Sequence, residues 1–234
     1  MGRLFEELDS RDTPIGLLSL RRRRELKLDT EVYEIKLGEE FLMSSLFTES
    51  EVALAELGLA VAEGESLDVV VGGLGLGYTA QAALRDERVA KLTVVEYLAP
   101  VITWHKEGLL PLGAELTADP RCRFLEGDFF ALAASEEGFG AQGGHDAILL
   151  DIDHSPEALL DDRSESFYRP EGLRALSRHL KPGGVFGLWS NERPDERFTD
   201  RLAGVFAGAK AERVVFHNPL QDREVVQTVY LARA

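Results

Sequence analysis

Cysteine is nearly missing from this 234-residue chain. Cys122 stands alone, which excludes an intrachain disulfide and any zinc site built on cysteines. Positive charge is also short: Lys and Arg number 26 against 41 Asp and Glu, a formal net charge of −15. Such a balance argues against a nucleic-acid backbone or an anionic membrane as the main partner. It suits a cationic substrate, although a soluble acidic surface is the commoner reason for it. The five histidines are scattered without metal-ligand spacing, so no metal is expected. No apolar run approaches the roughly 18 residues a membrane helix needs. Met1 to Ser10 is charged rather than signal-like, which makes the cytoplasm the default compartment. Internal repeats and low-complexity segments are absent too.

What is present falls into two patterns. From Ile15 to Ser45 the chain alternates, with Val32, Tyr33, Ile35 and Leu37 ahead of a turn at Gly38. This predicts short antiparallel strands, a small β unit over residues 1–48. The run Arg21 to Arg24 reads as a solvated hairpin in preference to an anion site. "ESEVALAELGLAVA" has helical apolar spacing at Val52, Leu54, Leu57 and Val61. Residues 49–234 then form the second unit.

There, strands and helices alternate. "DVVVGGLGLGYTAQAAL" is a buried strand, a turn through Gly72, Gly73, Gly75 and Gly77, and a helix start. "KLTVVE", "RCRFLEGD", "HDAILLD" and "KPGGVFGLWS" are further strands; "LAPVITWHKEG" and "SESFYRPEGLRALSRHL" read as helices between them. "ERVVFHN" and "EVVQTVYLA" close the chain as an antiparallel pair at the sheet edge. The fold class is α/β: a doubly wound, mainly parallel sheet with helices on both faces. Ligands of such sheets sit beyond the carboxyl ends of the strands.

Those ends carry the candidate site: the glycine turn, Glu96, Gly127-Asp128, and Asp151-Ile152-Asp153-His154. A carboxylate ending the second strand can accept both hydroxyls of a ribose diol. Gly73, Gly75 and Gly77 give G-x-G-x-G, whereas a dinucleotide turn wants G-x-G-x-x-G. Asp128 follows the third strand, where an adenine amino group can be bound. Together these ends favour an adenosyl-sulfonium ligand. Tyr168 is read as core in preference to pocket lining, and Trp104 and Trp189 as core or interface.

"VVVGGLGLGYT", "LTVVEYLAPVI", "PRCRFLEGDFFAL", "HDAILLDIDHSPEALL" and "FYRPEGLRALSRHLKPGGVF", with the β unit before them, resemble the spermidine/spermine synthase family. The resemblance covers nearly the whole chain. It implies a methyltransferase-like Rossmann fold and an aminopropyl transfer from decarboxylated S-adenosylmethionine to a small-molecule amine. It implies that Gly73, Gly75 and Gly77 hold the sulfonium donor, Glu96 its ribose, and Gly127 with Asp128 its adenine. Asp151 matches the catalytic aspartate. In the family's manner, the β unit is expected to cover the cleft or make a dimer contact, with a homodimer as the assembly.

The departures fall on amine recognition. Aligned on its glycines, the family's G-G-G-D-G-G loop puts Leu76 where an aspartate contacts the donor's propylamine. The D-x-x-D pair becomes Asp151 with His154, and Asp153 is shifted by one residue. The Tyr-His-Glu element reads "TESEVAL", which keeps Glu49 and Glu51. If aminopropyl chemistry is retained, Asp151 takes the acceptor's proton while Asp153 binds its cationic remainder. His154 is either a substitute base or a surface loop histidine. Two other functions stay open: a methyltransferase using intact S-adenosylmethionine, and a silent adenosyl-binding relative.

Overall fold

The structure, a computed structural model, describes residues 4–234. Four antiparallel strands come first: β1 (Phe5–Thr13), β2 (Gly16–Glu25), β3 (Thr30–Leu37) and β4 (Glu40–Ser44), in spatial order 1-2-3-4. Alternation predicted this sheet from Ile15 onward, yet β1 begins ten residues earlier. Its sequence, FEELDSRDT, carries too much charge to read as a strand. That charge is what pairs it. Glu6 and Glu7 lie opposite Arg22 and Arg21 in the ladder, with Arg22 to Glu6 at 2.6 Å and Arg21 to Glu7 at 3.6 Å. Opposite charges facing each other across strands contribute a few tenths of a kcal/mol to about 1 each. The arginine run is therefore a paired, partly solvated hairpin.

After α1 (Glu49–Ala60) the second layer system begins. Its elements are β5 (Leu67–Gly72), α2 (Tyr78–Leu84), β6 (Val89–Glu96), α3 (Ala99–Lys106), α4 (Gly113–Ala118), β7 (Cys122–Glu126), α5 (Phe129–Ala134), β8 (His145–Leu150), α6 (Pro170–Ser177), β9 (Leu180–Ser190), α7 (Glu196–Ala203), β10 (Ala207–Asn218) and β11 (Arg223–Arg233). The sheet runs β10-β11-β9-β8-β5-β6-β7. Strands β5 to β9 are parallel, and β11 and β10 return antiparallel at one edge.

The central strands are buried on both sides, which is why they read as unbroken apolar runs. Val69, Val71, Ala147 and Leu149 face α1 and α2 in one core. Val70, Ile148 and Leu150 face the other way into a core with Phe129, Phe186 and Leu173. The segment expected to be one helix, "SESFYRPEGLRALSRHL", is split. Residues Asp162–Tyr168 make a 3-10 turn, and α6 starts afresh at Pro170. Proline drives the residue before it out of helical conformation, and Arg169 is extended at φ −86, ψ 161. Pro170 then suits the first helical position, where no N–H is needed.

Candidate active site

The order in which strands are added across the sheet reverses at β5: β6 and β7 are laid down on one side, β8 and β9 on the other. Beyond the carboxyl ends at this point lies a cavity of about 410 Å3, within the range of small-ligand sites. The sheet itself pins its floor, since Asp151 N donates to Gly72 O and Gly73 N donates to Val95 O, at 2.8 and 2.9 Å. The N-terminal sheet closes over it with Ile35, Leu42 and Met43.

Gly73 and Gly75 line this cavity; Gly77 does not. Gly73 has φ +94, and a Cβ there would run into the carbonyl oxygen of Asp151. Gly75, at φ +45, is covered by the Met43 thioether. Both positions are thus glycine for close packing within the chain as well as for conformation. Met43 Sδ also accepts the N–H of Leu76 at 2.8 Å. Leu76 itself is buried in the core beneath the turn and does not line the cavity. The expectation that Leu76 faces a donor's amine is corrected: two residues of a tight turn point opposite ways, and the wall position belongs to Gly75.

Glu96, at the end of β6, is buried against that turn. Its Oε2 accepts from Leu74 N at 3.0 Å and Gly75 N at 3.5 Å, and its Oε1 from Leu98 N at 2.8 Å. Burial pushes this carboxyl above the usual range, and the backbone N–H groups oppose the shift. On the other side, the turn is held by His105, whose Nε2 lies 2.9 Å from the carbonyl of Gly75. A carbonyl can only accept, so His105 carries its proton on Nε2. Its Nδ1 is buried with no partner, and burial lowers its pKa. Gly127 and Asp128 line the cavity beyond β7. Asp128 caps α5, with Oδ1 accepting from Phe130 N and Ala131 N at 2.9 and 3.1 Å.

Asp151 leaves β8 where expected, on the cavity wall, and its Oδ2 accepts from Thr79 Oγ1 at 2.6 Å. Beside it is Glu51, from the first turn of α1, whose Oε2 accepts from Ser50 Oγ at 2.7 Å. Burial pushes Asp151 up to about 6. Burial, and then the charge of Asp151, push Glu51 up to about 7. Two carboxyls sharing a dry site cannot both ionise freely.

Asp153 also lines the cavity, but its carboxylate is taken up by its own loop. Its Oδ2 accepts from Tyr168 OH at 2.7 Å and Ser164 Oγ at 3.1 Å, and its Oδ1 from Leu160 N at 2.8 Å. Tyr168 is core, as its sequence context suggested. His154 is outside the cavity lining, with Nε2 3.2 Å from Glu40 Oε1 of β4. Trp104 is core, fully buried, and donates to Asp9 at 2.7 Å. Trp189 lines the cavity instead, because β9 ends beside β8 and brings it to the same rim.

Sequence reasoning passed over Met43 and His105, read Trp189 as core or interface, and noted Glu51 only as a remnant of a motif. Met43 and His105 bond partners 33 and 30 residues away in the chain, so no local spacing marks them. Among the described residues, no group of three or more His, Cys, Asp or Glu could hold a metal ion. No helix among them is long and apolar enough to cross a membrane.

A seven-stranded, mainly parallel sheet beside a small antiparallel sheet matches the methyltransferase-like fold of the spermidine synthases. No family model matches the sequence. Among solved structures, the chain is similar to spermidine synthase from Thermotoga maritima, with TM-score 0.71 and 16% identity over 97% of this chain and 72% of that one. A spermidine synthase in complex with the transition state analogue AdoDATO gives TM-score 0.72 and 15% identity over 97% and 72%. A probable spermidine synthase from Corynebacterium glutamicum gives 0.64 and 16% over 96% and 79%.

Proposed function

We propose that the chain is a spermidine synthase-like transferase. It binds an adenosyl-sulfonium donor and passes an aminopropyl group to an amine. The observation that carries this reading is the carboxylate of Asp151 on the wall of a cavity shared with Glu96, Gly127 and Asp128. A carboxylate at the end of β8 stands where the reacting carbon of a ligand bound along β5, β6 and β7 comes to lie.

The donor supplies a carbon made electrophilic by the neighbouring sulfonium. An ammonium has no lone pair, so the acceptor nitrogen must lose a proton before attack. Asp151 takes that proton and holds the nitrogen in line. The new C–N bond forms as the C–S bond breaks, and its electron pair stays on sulfur, leaving a neutral thioether. Val95, Leu98, Val101 and Phe130 offer apolar faces for the adenine; Asp128 keeps unused lone pairs for its polar edge, and Glu96 for the ribose hydroxyls.

A methyltransferase using intact S-adenosylmethionine is the second reading, favoured by the wall at Gly75 and Met43, which offers no acid to a donor amine. Against it, a donor carboxylate would share the cavity with Asp151 and Glu51, a like-charge encounter that decarboxylation removes. Incubation with each donor and a panel of amines separates the readings. Methylthioadenosine reports aminopropyl transfer, S-adenosylhomocysteine reports methyl transfer, and neither product reports a silent relative.

A further inference from the structure

We infer that Thr79 is a positioning residue for the transfer: its hydroxyl fixes the Asp151 carboxylate by one oxygen and leaves the other, Oδ1, as the atom that takes the acceptor's proton. The inference rests on the transferase reading and adds a residue to it. It turns on what holds each aspartate after β8.

Asp153 is tied by three donors, one on Oδ1 and two on Oδ2. Asp151 has one. Thr79 Oγ1 donates to its Oδ2 at 2.6 Å, and no group among the described residues donates to Oδ1. The residue keeps partial exposure on the cavity wall. The terminal torsion of an aspartate is soft, so backbone position alone does not decide which oxygen faces the ligand. A single short hydrogen bond does.

Thr79 is well placed to make that bond. It is buried in the first turn of α2, just past the glycine turn. A helical threonine can bond back to the carbonyl three or four residues earlier. Here the carbonyl four residues back belongs to Gly75, which already faces His105 Nε2 at 2.9 Å. The hydroxyl turns instead to Asp151, 72 residues further along the chain. It has one proton to give, so it occupies Oδ2 and leaves Oδ1 open. During transfer the acceptor's N–H bond breaks, an O–H bond forms on Oδ1, and the freed nitrogen lone pair attacks carbon. A base works only within hydrogen-bond reach of its proton, and misplacing it by about 1 Å can cost about 10²-fold. The same hydrogen bond favours the ionised carboxylate, opposing the burial that disfavours it.

The test uses the full chain with decarboxylated S-adenosylmethionine and a panel of amines. Thr79→Val keeps the shape and removes the proton. It should lower kcat about 10- to 100-fold while the donor's KM stays within about twofold. Thr79→Ser restores the hydroxyl and should return kcat to within a few-fold of the parent. Thr79→Ala, a better helix former, stands in if the valine variant does not fold. A valine or alanine variant within about threefold of the parent overturns the inference. So does a serine variant as slow as the valine one.

Carbon NMR of the Asp151 carboxyl reads the same contact without turnover. Its titration midpoint should rise by about half a unit or more in Thr79→Val and hold in Thr79→Ser. Equal midpoints in parent and both variants overturn the inference. Around this carboxyl α1 brings Glu51, α2 brings Tyr78 and its own loop brings Asp153, while β9 brings the uncharged Trp189. All of these are unchanged in the variants, so a difference in midpoint reports the hydroxyl. If no amine yields methylthioadenosine with the parent, the transferase reading fails, and the midpoints still decide whether Thr79 governs Asp151.

Discussion

Glu96 Oε2 accepts the backbone N–H of Leu74 at 3.0 Å, so the acid that ends β6 also holds the turn that follows β5. His105 grips the same turn from behind through the carbonyl of Gly75 at 2.9 Å. The donor surface and the group expected to read the ribose are therefore one mechanical unit. Glu96→Ala should release the turn and remove the ribose contact together. A hydrogen bond to a charged group is worth about 1.5–3 kcal/mol, so donor affinity should fall by one to two orders of magnitude. Calorimetric titration with decarboxylated S-adenosylmethionine measures it, and amide exchange at Leu74 should quicken in the same variant.

Asp151→Asn keeps the shape and the hydrogen bond from Thr79 while removing the base. Turnover should drop about 10²–10⁴-fold, with donor affinity within a few-fold of the parent. His154 is directed at Glu40, outside the cavity, so His154→Ala should lower turnover far less. If the two substitutions are equally severe, the base is not Asp151 alone.

The acid pair should leave a mark on stability. Burial and mutual repulsion raise Glu51 to about 7, above its value in an unfolded chain. The folded state therefore holds more protons than the unfolded state between about pH 4.5 and 7. Stability from this group is present below that window and lost as pH rises through it, at about 1.4 kcal/mol per unit of separation. Urea melts across this range should fall less steeply with pH for Glu51→Gln. Parallel slopes for parent and variant would refute the coupling.

Asp153 gathers Leu160 N, Ser164 Oγ and Tyr168 OH, which fastens the loop walling one side of the cavity. Asp153→Ala leaves the buried Tyr168 hydroxyl without its acceptor, at a cost of about 1–3 kcal/mol. Arg163 lies within this loop and is exposed. Trypsin should cut after it several-fold faster in the variant than in the parent, read by mass spectrometry. An unchanged cleavage rate would mean the loop is held by other contacts.

Much of this was legible in one dimension. The runs at Val69–Val71 and Ile148–Leu150 are apolar on every residue because both faces of β5 and β8 are covered, so their alternation with helices declares a parallel sheet. That sheet puts ligands at strand ends, and Glu96, Asp128 and Asp151 could be named from position alone. β1 was hidden because its partners are the arginines of β2, and cross-strand charge pairing has no local period.

Where each acid's carboxylate lies and what it bonds was decided only by three-dimensional packing. Asp153 reads as well as Asp151 in the sequence, two residues apart at the same strand end. Both line the cavity, but Asp151 accepts only from Thr79 beside Glu51, 100 residues before it in the chain, whereas Asp153 is taken up by donors of a loop that folds back through Leu160 and Tyr168. Composition and spacing determine which residues arrive at the switch point. Which lone pairs remain free depends on donors brought there from α1, α2 and the loop after β8, and those contacts exist only once the chain has closed around them.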